Sequence, residues 1–126
     1  MKSVLSVFVL SLIPLFVAVG CKKVVSVDCS TKMRDVPSVN KNEGASFKVT
    51  CPANCTHGWI WGTDIYTNDS SVCCAAIHAG VIDADKGGTV TVKVVKGLNR
   101  YTGSERNGIK SGNWGAWGTT AFTVSK

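Results

Sequence analysis

The residues whose chemistry is most tightly limited by spacing are six cysteines, at positions 21, 29, 51, 55, 73 and 74, and two histidines, His57 and His78. Cys51 and Cys55, with His57 close behind, match one half of a zinc chelate. The other half is missing, because Cys73 and Cys74 are adjacent and leave no C-x2-C loop to close around a metal. In a short exported chain this many cysteines form a disulfide framework instead. No metal and no cofactor is expected.

Two further side chains invite a catalytic reading. His78 could act as a base, but no Ser, Asp or Cys is placed by motif to complete a triad. A structural hydrogen bond to backbone near a helix end suits it better. Ser70 lacks the G-x-S-x-G surroundings of a hydrolase nucleophile and reads as a helix cap. A hydrolase using His78 is therefore the least favoured function, and the chain is read as non-enzymatic. Four tryptophans could stack on sugars. Trp59 and Trp61 fall on one strand face and are assigned to the core; Trp114, in a Gly-rich stretch, is the candidate for an exposed platform. Lys93, Arg100, Arg106 and Lys110 lie close in sequence, with Glu105 the only acid between Lys93 and Lys110. With Trp114 they form the candidate ligand-binding set, able to grip phosphate or carboxylate.

Elements must hold these groups in place. The first twenty residues are set aside: Lys2 precedes an uncharged run from Val4 to Val19, ending in Ala18, Val19 and Gly20. This is the layout of an export signal over residues 1–20, leaving a domain over residues 21–126. The run is short for a membrane span, and Pro14 interrupts it. Val19-Gly20-Cys21 also fits a lipobox, so Cys21 is a candidate for lipidation and a tether to a membrane. The charge of +6 falls to +5 with the loss of Lys2. It favours anionic partners, but the basic residues are too scattered for nucleic acid. Strands are expected at Val24 to Asp28, at Ser46 to Thr50 with Phe47 and Val49 facing inward, and around Trp59 to Trp61. Thr89 to Val95 alternates strictly and is the strongest strand; Thr119 to Val124 is the last. One helix is expected from a cap at Asp69 or Ser70 to a stop at Gly80, with small residues that allow close packing on all sides. Asn107-Gly108 signals a turn. Short strands around a single helix define an α+β fold.

Tyr66, Ser70, Cys73, Ala75, Ala76, His78 and Gly80 fall at the spacing Y-x3-S-x2-C-x-A-A-x-H-x-G. This resembles the signature of the LCCL domain, the family named for factor C, cochlin and a late-gestation lung protein. Cys29 and the Cys51–Cys55 pair lie upstream as in that family. Tyr101, Asn107-Gly108-Ile109, Ser111 and the stretch from Trp117 to Val124 continue the likeness, which covers roughly residues 24–125. The resemblance implies a central helix wrapped by short antiparallel strands and two disulfides, Cys29–Cys51 and Cys55–Cys73. Cys74 and Cys21 depart from the pattern, leaving either a Cys21–Cys74 bridge or an odd thiol. The resemblance also implies a secreted or surface-tethered binding module, with lipopolysaccharide proposed for the family. An anionic glycolipid or polysaccharide is thus the expected ligand. The alternative is a structural or adhesion protein of an envelope or extracellular matrix, contacting protein partners.

Overall fold

The computed structural model describes residues 23–126. The expected export signal, the lipidation candidate Cys21 and any Cys21–Cys74 bridge lie outside the described residues. The strands are β1 (Val24–Ser26), β2 (Ser46–Cys51), β3 (Gly62–Thr63), β4 (Ile65–Thr67), β5 (Gly88–Lys96), β6 (Arg100–Tyr101), β7 (Glu105–Arg106), β8 (Ile109–Lys110), β9 (Trp114–Gly115) and β10 (Thr120–Ser125). A single α-helix among the described residues, α1 (Val72–His78), follows β4, and a short 3-10 turn (Met33–Asp35) lies between β1 and β2.

Six strands form one sheet in the order β1-β2-β5-β10-β4-β3. Its middle is built from the three most regular sequence stretches. Phe47 pairs with Val92, Val49 with Val90, and Val94 with Phe122. All six are buried, and the period-2 pattern places them on one face. The opposite face carries Ser46, Lys48, Thr91, Lys93 and Thr123. The expectation of antiparallel strands holds except at the edge, where β1 runs parallel to β2. The Gly- and Asn-rich segment after β5 folds into two small two-stranded ladders, β6–β9 and β7–β8. Asn107 and Gly108 both adopt positive φ, at 52° and 78°, which lets two residues close the β7–β8 hairpin.

The helix packs on the inner face. All seven of its residues are buried, as the small side chains Ala75 and Ala76 allow. Its cap is Ser71, one residue beyond the expected positions: the Ser71 hydroxyl accepts from the Cys74 N–H at 3.2 Å. The C-terminus closes as expected at Gly80. There φ is +78°, and the Gly80 and Val81 N–H groups donate to Ile77 and Ala76 carbonyls.

The disulfide pairing differs from the one the resemblance implies. The bridges are Cys29–Cys55 and Cys51–Cys73. Strand parity explains the exchange. Cys51 is in phase with Phe47 and Val49, so its side chain projects inward to meet the helix at Cys73. Beyond it the chain reverses through Pro52 and Asn54, the latter at φ +64°, and delivers Cys55 to the loop holding Cys29. Successive helical residues point about 100° apart, so Cys74 faces the other bridge. Its buried thiol lies 3.3 Å from the Cys55 carbonyl oxygen, and burial pushes its pKa up.

Candidate functional site

His78 is fully buried, and both ring nitrogens are engaged. Nε2 lies 3.1 Å from the Ser104 carbonyl oxygen, which can only accept, so Nε2 carries the proton. Nδ1 then accepts from the Tyr66 hydroxyl at 2.8 Å. Burial raises the Tyr66 pKa to about 12, which keeps the phenol a donor. The His78 carbonyl in turn accepts from Asn107 Nδ2 at 3.0 Å. His78 therefore joins the helix end to β4 and to the loops before β7 and β8. The expected structural role is what the geometry supports, with a side chain and a distant carbonyl as partners. Ser70 is equally committed and buried. Its hydroxyl accepts from the Trp61 N–H at 3.0 Å and meets Thr67 Oγ1 at 2.7 Å. It is neither the helix cap nor open to a substrate.

The basic candidates are dispersed. Arg100 is exposed and lies opposite Gly115 in the β6–β9 ladder, with Trp114 paired to Tyr101 beside it. These residues, with Thr102 and Asn113, line a cleft of about 720 Å³. Lys110 is exposed next to Trp59 and Trp61, but Glu105 faces it across the hairpin. Arg106 donates to Asp64 at 2.8 Å, so its charge is already matched. Lys93 sits on the outer face of the large sheet, between Ser46 and Thr123, away from the Arg100 cleft. Of the five expected ligand-binding residues, the fold thus brings Arg100 and Trp114 together.

The tryptophans correct the sequence reading. Trp59 and Trp61 do share a face, but it is the solvent face: Trp59 is 80% exposed while Ile60 between them is 2% exposed. Leaving most of an indole in water forgoes on the order of 3–5 kcal/mol of burial. The other rings form a cluster. Trp61 and Trp114 meet edge to face at 6.2 Å, and Trp114 and Trp117 at 6.1 Å. Each is held. A Cβ on Gly112 would come within 2.9 Å of the Trp61 ring, so glycine there lets the indole lie against backbone. Trp117 donates its indole N–H to Asn68 Oδ1 at 3.2 Å. Asn68, a glycosylation sequon position in the sequence, is thereby tied into the cluster rather than turned to solvent.

The chain thus folds as a sheet with one buried helix, stapled by two disulfides, with clustered aromatic rings beside an exposed arginine. The LCCL domain family model matches residues 27–121, and the chain belongs to that family. It is 38% identical over 98 residues to human cysteine-rich secretory protein LCCL domain-containing 2, covering 74% of this chain and 20% of that protein. It is 43% identical over 96 residues to clotting factor C of Tachypleus tridentatus, covering 73% and 9%. With cochlin of Cavia porcellus it shares 35% over 104 residues, covering 81% and 18%. The chain thus spans a fifth or less of the length of these relatives.

The Tyr66–His78 bond generates a direct test. Tyr66→Phe leaves Nδ1 buried without its donor and should cost about 1–3 kcal/mol in chemical denaturation. The sign of the pH dependence follows from a folded pKa raised from 10.0 to about 12. The contribution of burying the neutral phenol is complete below pH 10 and declines as pH rises towards 12, because the unfolded chain ionises first. Denaturation curves across that window should show the Tyr66-dependent part of the alkaline loss, and Tyr66→Phe should lack it.

Proposed function

We propose that this chain is an exported, non-enzymatic binding module that recognises anionic glycans, carried on a polysaccharide or a glycolipid. The observation that carries this reading is the β6–β9 ladder. It sets the Arg100 guanidinium and the half-exposed Trp114 indole on one cleft, with Thr102 and Asn113 supplying hydrogen-bonding groups. A carboxylate, sulfate or phosphate suits two-point contact with Arg100, and a sugar ring suits the Trp114 face. Gly115 opposite Arg100 has nothing within 4 Å of its Cβ position, which keeps the floor of the cleft open. The net positive charge favours the encounter.

Export is supported by the signal-like first twenty residues and by the word secretory in the name of the human relative. Intact mass of native protein should show a chain starting at Cys21, with or without lipid on its sulfur. Retention of Met1 to Gly20 would contradict export.

Binding to arrayed anionic polysaccharides and glycolipids across a salt series tests the ligand class. Affinity should fall as salt rises. Arg100→Ala should weaken binding roughly tenfold and flatten the salt dependence, the loss of about 1.4 kcal/mol expected of one charge-assisted contact. Lys93→Ala and Arg106→Ala should change little. Retention that ignores both salt and Arg100→Ala would refute the reading and point to a protein partner.

A further inference from the structure

The Arg100 cleft does not end at Trp114. Trp114 is also a wall of a second, smaller cleft of about 160 Å³, shared with Trp61, Trp117 and Asp69. Trp61 in turn borders a third, of about 380 Å³, whose other walls include Trp59, Lys110 and Ser111. The three clefts therefore adjoin through common indoles. Their walls follow one order, from Arg100 past Trp114 and Trp61 to Trp59 and Lys110, a track linked by shared indoles.

The track has a chemical order. Its Arg100 end is cationic, with no cross-strand acid, since Gly115 stands opposite. Its middle is apolar apart from Asp69, whose carboxylate already accepts from Thr67 Oγ1. Its far end pairs exposed Trp59 with Lys110, which Glu105 partly offsets. An anionic group is welcome at Arg100 and opposed at Asp69. A neutral sugar in the middle could instead donate its hydroxyls to that carboxylate. The backbone under the platforms is fixed before any ligand arrives. Ser70 and Gly112 hold the Trp61 segment, and the Trp59 carbonyl accepts from the Ser71 N–H at 2.9 Å. A fixed backbone leaves less to order on binding.

Resting on the anionic-glycan reading above, the geometry points to a linear polysaccharide in which acidic and neutral sugars alternate, lying along the Arg100–Trp114–Trp61–Trp59 track as its ligand. A compact phosphorylated head group would fill the Arg100 cleft and leave Trp59 in water. An alternating chain uses the whole length.

Calorimetric titration of the protein, purified from an exporting host, with size-graded oligosaccharides tests this. The probes are hyaluronan fragments, in which acidic and neutral sugars alternate, and oligogalacturonates, in which every sugar is acidic. Hyaluronan affinity should rise with length and then level off. Trp59→Ala, at an exposed position, should remove roughly the last tenfold of that gain and leave the shortest fragment unaffected. Asp69→Asn should strengthen oligogalacturonate binding several-fold. Equal affinity for short and long fragments, with Trp59→Ala silent and Trp114→Ala still weakening binding, would overturn the track while leaving the Arg100 cleft standing. Failure of hyaluronan to bind at any length would overturn the track alone; silence of every anionic polysaccharide and glycolipid on the array as well would overturn both.

Discussion

The fold is organised by the need to satisfy the N-terminus of a helix only seven residues long and buried throughout. An isolated helix of this length is unstable in water, and its first N–H groups have no partners within it. Two distant segments and the Ser71 side chain meet at this end. The Val72 N–H donates to the Thr31 carbonyl, and the Ser71 N–H to the Trp59 carbonyl. The Ser71 hydroxyl accepts from Cys74 and donates to the Cys29 carbonyl at 2.6 Å. Ser70 receives the Met33 N–H on its carbonyl and the Trp61 N–H on its hydroxyl. The loop after β1 and the tryptophan segment are thus fixed by one junction. The surface proposed to meet a ligand is a by-product of closing the helix.

Cys51–Cys73 fastens the same first turn to β2. The other end of the helix is held by His78, which ties it to β4 and to the loops before β7 and β8. Cys29–Cys55 closes the loops beside Cys74. Removing a native bridge from a small exported domain typically costs 2–5 kcal/mol, comparable to the total stability of such a domain. The β6–β9 ladder, two residues on each strand, has little stability of its own. It holds its place because Tyr101 is buried beneath it, with its hydroxyl oxygen accepting from the Leu98 N–H at 3.0 Å. Arg100 is thereby carried on a rigid base although it lies in a glycine-rich stretch.

Much of this was legible in the residues. Strict alternation located β2, β5 and β10 and the inward residues Phe47, Val49, Val90, Val92 and Val94, because one face of that sheet is wholly buried. Gly80 and Asn107-Gly108 declared their turns through backbone conformations few other residues adopt. Trp59 and Trp61 were not legible in the same way. Alternation tells which residues share a face, but not which face meets water, and hydrophobicity then argues for the wrong side. Ile60, smaller and between two glycine-flanked tryptophans, was the core residue. The helix cap slipped by one because Asp69, Ser70 and Ser71 are all competent, and tertiary partners choose among them. The disulfide pairing came from resemblance. The parity of β2 already directed Cys51 toward the helix face, and it was the better guide. Grouping Lys93 and Arg106 with Arg100 relied on closeness in sequence, which a chain of short reversing strands does not preserve in space.

The central claim is that one pinned aromatic surface, and not the basic outer face of the sheet, meets the ligand. Nuclear magnetic resonance titration of nitrogen-labelled protein with a hyaluronan oligosaccharide tests it most directly, since each indole N–H gives its own signal. The account predicts shifts at the Trp59 and Trp114 indoles and at the Arg100 and Asn113 amides, with Lys48 and Lys93 unmoved. Shifts confined to Lys48, Lys93 and their strand neighbours, with the indoles silent, would contradict it.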